Sequence, residues 1–529
     1  MVKRLGGVPK IDYVIDYPAN ATLEDTWTPR ASEEECWDFI GQDLDLAIAG
    51  LPDKNDSGRA TRYAAAALKS RAMLYAGSIA KYNTVSEEYL GKRICGIPAE
   101  RAVDYFEAAY KASKIVDEGG YSLYKAKWAA GNRDAQAENF AALFLDESSA
   151  NTETIFARYY KEKFLTHDYD NSVQPRSTST GGNDSEVSPT VDFIEMFDGV
   201  ELDADGKFGF LDENGYYKLY DNPMDAFANA EPRLLGTVIL PMSKFKDQYI
   251  EIRRGLYTGK VEEGKGISRL IKEGETAAYE TLGLKDVQLT GNFNGGPAVQ
   301  LKTPYTPYPG ATPVTSMLIT GLNGPVNGWN FGNIGGTYLR KYLDPDLENN
   351  SGGKSTQHWI DIRYAEVLLN YAEAKAELGE FSETVWNATI KLLRERAGVD
   401  GAMPSAYDPY MAEYFLNTTT DMAILEIRRE RGIELLLENC RWDDDMRWGM
   451  GRLLERPWYG VYVGELGKVY DMDGDGSGDV CFVRENPPVT EPGVTYRVLG
   501  GDYALTDGDS GYIECYIRMN RKWLSLIHI

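Results

Sequence analysis

Histidine is almost missing from this chain: 529 residues hold three, and the five cysteines form no CxxC pair. Their scarcity argues against a histidine proton relay and against a His-rich metal centre. The cysteine spacing argues against a zinc knuckle and a dense disulfide framework. Cys36, Cys95, Cys440, Cys481 and Cys515 therefore read as free, mostly buried thiols. Basic charge is short as well, with 56 lysines and arginines against 81 acids and a formal net charge of −25. Such a surface repels a phosphate backbone, so nucleic acid is not an expected partner. No apolar run reaches the ~18–20 residues needed to span a bilayer, and no secretory signal opens the chain.

What is abundant is tyrosine, 35 residues, with 10 tryptophans beside it. Both join a flat apolar face to a polar tip, which suits wet, semi-polar binding sites as well as cores. The overall hydrophobic content, 43%, is that of a globular protein.

Both ends of the chain carry helical periodicity. Ser32 followed by Glu35 makes a capping box at the head of a helix over Arg30–Gly50, with Phe39, Leu44, Leu46 and Ile48 as its apolar residues. Ala60–Ile79 and Val103–Val116 continue at helical spacing, and their many alanines let neighbouring helices approach closely. Further helices are expected over Asp361–Gly379, Ser382–Ala397, Asp421–Glu438 and Arg441–Leu454. Hairpins of this length suit stacked helix pairs of tetratricopeptide type, although no clean repeat of about 34 residues is legible. Between the two helical parts the chain is rich in Gly, Pro, Asn, Asp and Thr, with short strand-like runs at Leu235–Leu240 and Tyr249–Arg253. The expected organisation is a helical scaffold over 1–158, a loop-rich ligand-binding excursion over 159–355, a second scaffold part over 356–456, and strand and loop over 457–529. Met1–Pro9 reads like the end of a helix, with basic residues before a Gly-Gly exit, so the chain is expected to begin inside a longer protein. Trp523–Ile529 lacks pattern and reads as an artificial end.

The densest segment is Ile427–Gly449. Glu426, Glu430, Glu434 and Glu438 recur every fourth residue, and Arg429 and Arg431 stand within pairing distance along the helix. Arg441 and Arg447 can fork onto carboxylates, and the tryptophans can stack on guanidinium planes. The physical reading is a charged lattice that staples two helices, and the Asp443–Asp445 triplet belongs to it.

The order of residues in this block resembles the C-terminal signature of the SusD/RagB-type glycan-binding outer-membrane lipoproteins. Val2–Pro9, Arg62–Tyr75, Pro189–Asp198, Glu231–Arg233, Lys341–Asp344 and Ile362–Ala374 are similar to other landmarks of that family in the same order. The resemblance implies a mainly α, tetratricopeptide-like scaffold bearing a loop-rich ligand face. It also implies capture of oligosaccharides for a SusC-type TonB-dependent transporter, without catalysis and with a lipid anchor upstream of this chain. No ligand-contacting set carries over from the family, so the site residues rest on chemistry. Sugars offer C–H faces to aromatic rings and hydroxyls to polar side chains. Asp168, Tyr169, Asn171 and Arg176 form one candidate group, and Trp329, Asn330 and Phe331 another. Asp471, Asp473, Asp475 and Asp479 copy the first half of a calcium loop, although Phe482 stands where a bidentate Glu is expected; a structural Ca²⁺ or an acidic turn both fit. Two other readings stay open. Carboxylates near aromatic loops suit a glycan hydrolase, and the helix hairpins alone suit a scaffold that binds only protein.

Overall fold

The computed structural model describes residues 1–14, 22, 24–180, 187–202, 206, 208, 224–250, 252, 271–272, 288–293, 296–305, 313–318, 323, 336–463, 465–471, 480–499 and 503–515. The architecture is mainly α, a stack of helical hairpins in two parts, with short strands among the described residues between them.

The first part contributes α1 (Glu33–Gly50), α2 (Arg62–Tyr82), α3 (Ala102–Asp117) and α4 (Arg133–Leu143). Two short helices follow, α5 (Tyr169–Val173) and α6 (Pro232–Thr237). The second part contributes α7 (Tyr364–Glu377), α8 (Ile390–Ala397), α9 (Met422–Glu434) and α10 (Arg441–Arg447). Neighbours stack in the order α1, α2, α3, α7, α9, while α4 packs against α6 and α8, and α10 lies on α2. No described helix is long and apolar enough to cross a membrane.

The capping box at α1 forms as the sequence predicts: Ser32 Oγ accepts from the Glu35 amide at 3.0 Å and Glu35 Oε2 from the Ser32 amide at 2.7 Å. Its buried face keeps Ile48 and the packed Leu44 but not Leu46. Leu46 is 73% exposed, and the helix instead buries Trp37, stacked on Tyr75 with ring centroids 5.3 Å apart. Small residues do bring the helices together. Ala64–Ala67 are buried on α2, and a Cβ at Gly77 would lie 2.7 Å from the Phe106 ring of α3.

Several expected helices are shorter or broken, each for a visible reason. Ile362 lies on a strand, β2 (Trp359–Arg363), paired antiparallel with β1 (Thr154–Arg158), and α7 begins only at Tyr364. Thr389, at φ −134° and ψ −89°, splits Ser382–Ala397 in two, and its hydroxyl donates to the Val385 carbonyl at 2.6 Å. α9 stops at Glu434, and the chain then turns through left-handed Leu437 and Asn439. Leu235 belongs to α6, leaving Val238–Ile239 as the strand of that run. Beyond Pro457 the chain is strand and loop, as expected, with Trp458–Val463 paired to Gly511–Cys515.

The charges of the Ile427–Gly449 block reach much further than two helices. Arg363, the last residue of β2, donates to Glu153 Oε1 and Glu434 Oε1, both at 2.6 Å, and to Glu438 Oε2 at 2.7 Å. Arg233 on α6 reaches Glu434 Oε2 at 2.8 Å and Glu430 Oε2 at 2.9 Å. Arg396 on α8 bridges Glu434 and Glu153, and the Lys341 ammonium sits 2.6 Å from Glu438. The three arginines and Glu434 are fully buried. Arg431 does not pair with Glu434 as its spacing suggested, but with Asp444 at 3.0 Å. Arg447 forks onto Glu373, and its guanidinium lies 4.7 Å from the centre of the Trp448 ring. Asp443 pairs with Lys3 at 2.7 Å and Asp445 with Arg441 at 3.3 Å, so the aspartate triplet is part of the lattice. Burial alone would raise the Glu434 carboxyl, but Arg396, Arg363 and Arg233 hold it well below its usual range.

Breaking a buried ion pair on one side leaves uncompensated charge. Glu434→Gln should therefore cost about 3–5 kcal/mol in urea unfolding. The exposed Glu413→Gln should stay within about 0.5 kcal/mol of the parent.

Candidate functional site

Strands β1 and β2 bring together the two ends of the loop-rich region. Just beyond β1, Lys161 and Leu165 close a tight turn, with the Lys161 amide donating to the Leu165 carbonyl at 2.8 Å and Lys163 in the left-handed region. The turn thrusts out Phe164, 81% exposed. His167 and Ser355 then exchange backbone hydrogen bonds at 3.0 and 3.1 Å, so the outgoing and returning chains stay side by side.

Between them and α4 opens a cleft of about 600 Å³. Tyr124, Lys127 and Glu138 line one side, Asp146 and Glu147 the end beyond α4, and Tyr160, Lys161 and Glu162 the turn. Asp344, Pro345 and Asp346 face them, with Thr356 and Gln357 beneath. A second, larger cleft of about 790 Å³ adjoins it, sharing Glu138, Pro345 and Asp346, and is lined by Arg133, Met242, Phe245 and Arg340 among others.

Buried Asp170 pins the first cleft. Its carboxylate accepts from the Asp344 amide at 2.8 Å and from Gln357 Nε2 at 2.7 Å, and its own amide donates to Ser355 Oγ at 3.0 Å. Sequence reasoning chose Asp168, Tyr169 and Asn171 and passed over the residue between them. An acid preceded by alternating polar and aromatic residues gives no hint of which side chain turns inward.

The structure places the chosen residues as follows. Asp168 is exposed and accepts from the Gly353 amide. The Tyr169 hydroxyl donates to the Lys341 carbonyl at 2.7 Å, its ring meets Trp359 edge-on at 5.8 Å, and burial pushes its phenol up. Asn171 is buried on α5, and Arg176 opens a 3-10 turn, half-buried. None of these four is among the residues that line the cleft. Trp329, Asn330 and Phe331 lie outside the described residues, as do Asp473, Asp475 and Asp479, while Asp471 closes the strand Val469–Asp471.

The lining is rich in acceptors. The Tyr124 hydroxyl donates to Asp146 Oδ2 at 2.9 Å. Burial works to raise the Asp146 carboxyl, but hydrogen bonds from Ser148 and Tyr124 leave it lowered. Burial pushes Glu147 and Asp344 up. Behind Glu147, His358 is 1% exposed and stacked on Tyr159, with ring centroids 5.7 Å apart, and burial holds its imidazole down at about 4. Tyr160 presents a half-buried ring with the Arg158 guanidinium 5.3 Å from its centre. Rings beside converging carboxylates can meet a ligand that has both apolar faces and hydrogen-bond donors.

Stacked helical hairpins with this cleft at their side define a tetratricopeptide-like helical protein. A sequence model of the SusD family matches residues 152–497, and the chain belongs to that family. SusD-like protein P2 of Formosa agariphila is 37% identical over 111 residues, a match spanning 21% of this chain and 21% of that relative. A SusD-like protein from Bacteroides fragilis shares the fold with a TM-score of 0.51 at 23% identity, over 89% of this chain and 70% of that one. A SusD-like carbohydrate binding protein from the same species gives 0.54 at 18% identity, over 99% and 73%.

The neutral, buried His358 makes a pH prediction. Its folded value, about 4, lies below the ordinary 6.5, so the unfolded chain takes up a proton that the folded chain refuses. Stability from this group is complete above 6.5 and is lost as pH falls towards about 4. The loss should reach about 3 kcal/mol. Urea unfolding of the parent and of His358→Gln across that range should show the difference between them shrinking as pH falls.

Proposed function

We propose that this protein binds oligosaccharides at the outer face of the outer membrane, held there by a lipid anchor, and passes them to a SusC-type TonB-dependent transporter. The observation that carries the reading is the open cleft of about 600 Å³, in which the half-buried Tyr160 ring stands among carboxylates and Gln357. Family membership supports it, and so does the shared fold of a carbohydrate binding protein. The loop-rich region 159–355 supplies the cleft's turn and its facing wall, and the helical scaffold holds both. Modest affinity per sugar, gained over several contacts along a polymer, fits a protein that must also release its cargo.

Calorimetry against a glycan panel tests the site. Tyr160→Ala should weaken binding of the preferred oligosaccharide roughly tenfold, about 1.4 kcal/mol. Unchanged affinity would move the site away from this cleft, towards the loops that carry Trp329 and Tyr169. The purified protein should release no reducing sugar from any member of the panel; release would favour the hydrolase reading. Absence of sugar binding with a membrane partner still co-purifying would favour the scaffold reading.

A further inference from the structure

The larger cleft, of about 790 Å³, differs in charge from its neighbour. One stripe of α4 with Arg133, Ala137 and Ala141 lines it, and Lys246 stands in the turn between Lys244–Phe245 and Gln248–Tyr249. Phe245 brings two cations together: the Arg340 guanidinium lies 5.2 Å and the Lys246 ammonium 6.0 Å from the centre of its ring. Arg133 donates to the Phe227 and Ala230 carbonyls, and Lys246 to the Leu347 carbonyl and Gln174 Oε1. No carboxylate pairs with either among the described residues. Arg340 donates to the Leu343 carbonyl at 2.9 Å, and its one ion pair there is with Glu138, at 3.5 Å. Asp344, in the adjoining cleft, acts on Arg340 and Lys246 through space without pairing with them.

The acids of this lining are placed differently. Asp134, Glu138, Asp247 and Asp346 are exposed, where water screens them. Glu138 and Asp247 also have lysines of their own, Lys127 at 3.0 Å and Lys244 at 2.9 Å. Among the half-buried residues of the lining, Asp225 is the one acid against Arg133, Lys246 and Arg340. Burial pulls all three cations below their ordinary ranges, so an incoming anion relieves a penalty already incurred. Donors are within reach of it. Arg133 Nη1 and Arg340 Nε have no hydrogen-bond partner among the described residues, and neither atom is sealed from solvent. The planar edge of a guanidinium matches the oxygens of a carboxylate or a sulfate, whereas a neutral hydroxyl leaves the charge unanswered.

Resting on the carbohydrate-binding reading of the adjoining cleft, we propose that the ligand is an acidic glycan, in which uronate or sulfate groups occur among neutral sugars. Its anionic group is received at Arg340 in the larger cleft, in the field of Arg133 and Lys246. Neutral rings occupy the smaller cleft, where Asp146, Glu147 and Asp344 repel a second anion. The shared wall of Glu138, Pro345 and Asp346 lets one chain run through both.

Calorimetry with the intact protein tests this on a glycan panel in which each acidic oligosaccharide is paired with its neutral form, methyl-esterified or desulfated. The tightest binder should be acidic and should exceed its neutral form at least about tenfold, with the advantage shrinking as salt rises. Loss of the advantage on esterification identifies a carboxylate, and loss on desulfation a sulfate. Arg340→Gln and Lys246→Gln, each checked by its melting curve, should cut the advantage at least about fivefold. Ala228→Glu, at an exposed position of the same lining, adds negative charge without removing any of those contacts and should cut it likewise. A tightest binder that is neutral, or that loses nothing on neutralisation, would overturn the charge assignment while leaving carbohydrate binding intact. An advantage unchanged in Ala228→Glu and in the folded Gln variants would remove the anion from this cleft. A hexaglutamate peptide binding as tightly as the best glycan would also overturn the proposal, because charge alone would then be recognised. If no glycan of the panel binds, the carbohydrate reading falls and this inference falls with it.

Discussion

One carboxylate, Glu434, accepts from three fully buried arginines that arrive from three directions: Arg233 on α6, Arg363 at the end of β2, and Arg396 on α8. An ionised group carried so far from water is costly, and only this number of partners makes the arrangement tolerable. Glu153 closes the ring by taking Arg363 and Arg396 on its two oxygens and the Tyr124 amide at 2.7 Å. A directional lattice of this kind differs from a hydrophobic contact, because it fixes angles as well as distances. The mutual placement of α6, α8, α9 and β2 follows from it.

The candidate cleft inherits that placement. From Arg363 the chain runs back along β2 to His358 and Gln357, so the floor of the cleft continues a strand whose last residue is locked in the lattice. Lys341 is held by Glu438, and the next residue, Tyr342, lends its carbonyl to Gln357. The Lys341 carbonyl takes the Tyr169 hydroxyl. Glu153 joins the lattice to Tyr124, whose hydroxyl meets Asp146 at the cleft's end. Preorganisation of a polar site on rigid elements lowers the ordering cost of binding.

The scaffold was largely legible in the sequence, because helical periodicity and caps are local signals. The capping box at Ser32 and the small-residue face of α2 are examples. What failed were positions where a non-local partner overrode periodicity. Ile362 fits the apolar stripe of α7 but pairs across a strand to Phe156. Leu46 fits the stripe of α1, yet the packed face is the one carrying Trp37. The charged block was recognised as a lattice, but its reach was not. Arg233, Lys341 and Arg363 read only as isolated landmarks, and nothing in their spacing says that they converge on Glu430, Glu434 and Glu438. A full-length arginine among apolar neighbours, as in Ile362–Tyr364, was the one available hint. The cleft itself is assembled from five separated stretches, and no one-dimensional pattern announces such a convergence.

The pairing of β1 with β2 has a consequence for how such a protein can change over generations. Arg158 stands opposite Trp359, so everything between them leaves and re-enters the scaffold at one doorway. Once that doorway is closed, doubling the length of what lies beyond it adds only about 0.6 kcal/mol of closure entropy. Insertions and deletions in the intervening loops are therefore nearly free, while a slip of one residue in the short strand pair would turn Ile360 and Arg363 to the wrong faces. A few backbone hydrogen bonds separate the part of the chain that tolerates change from the part that does not.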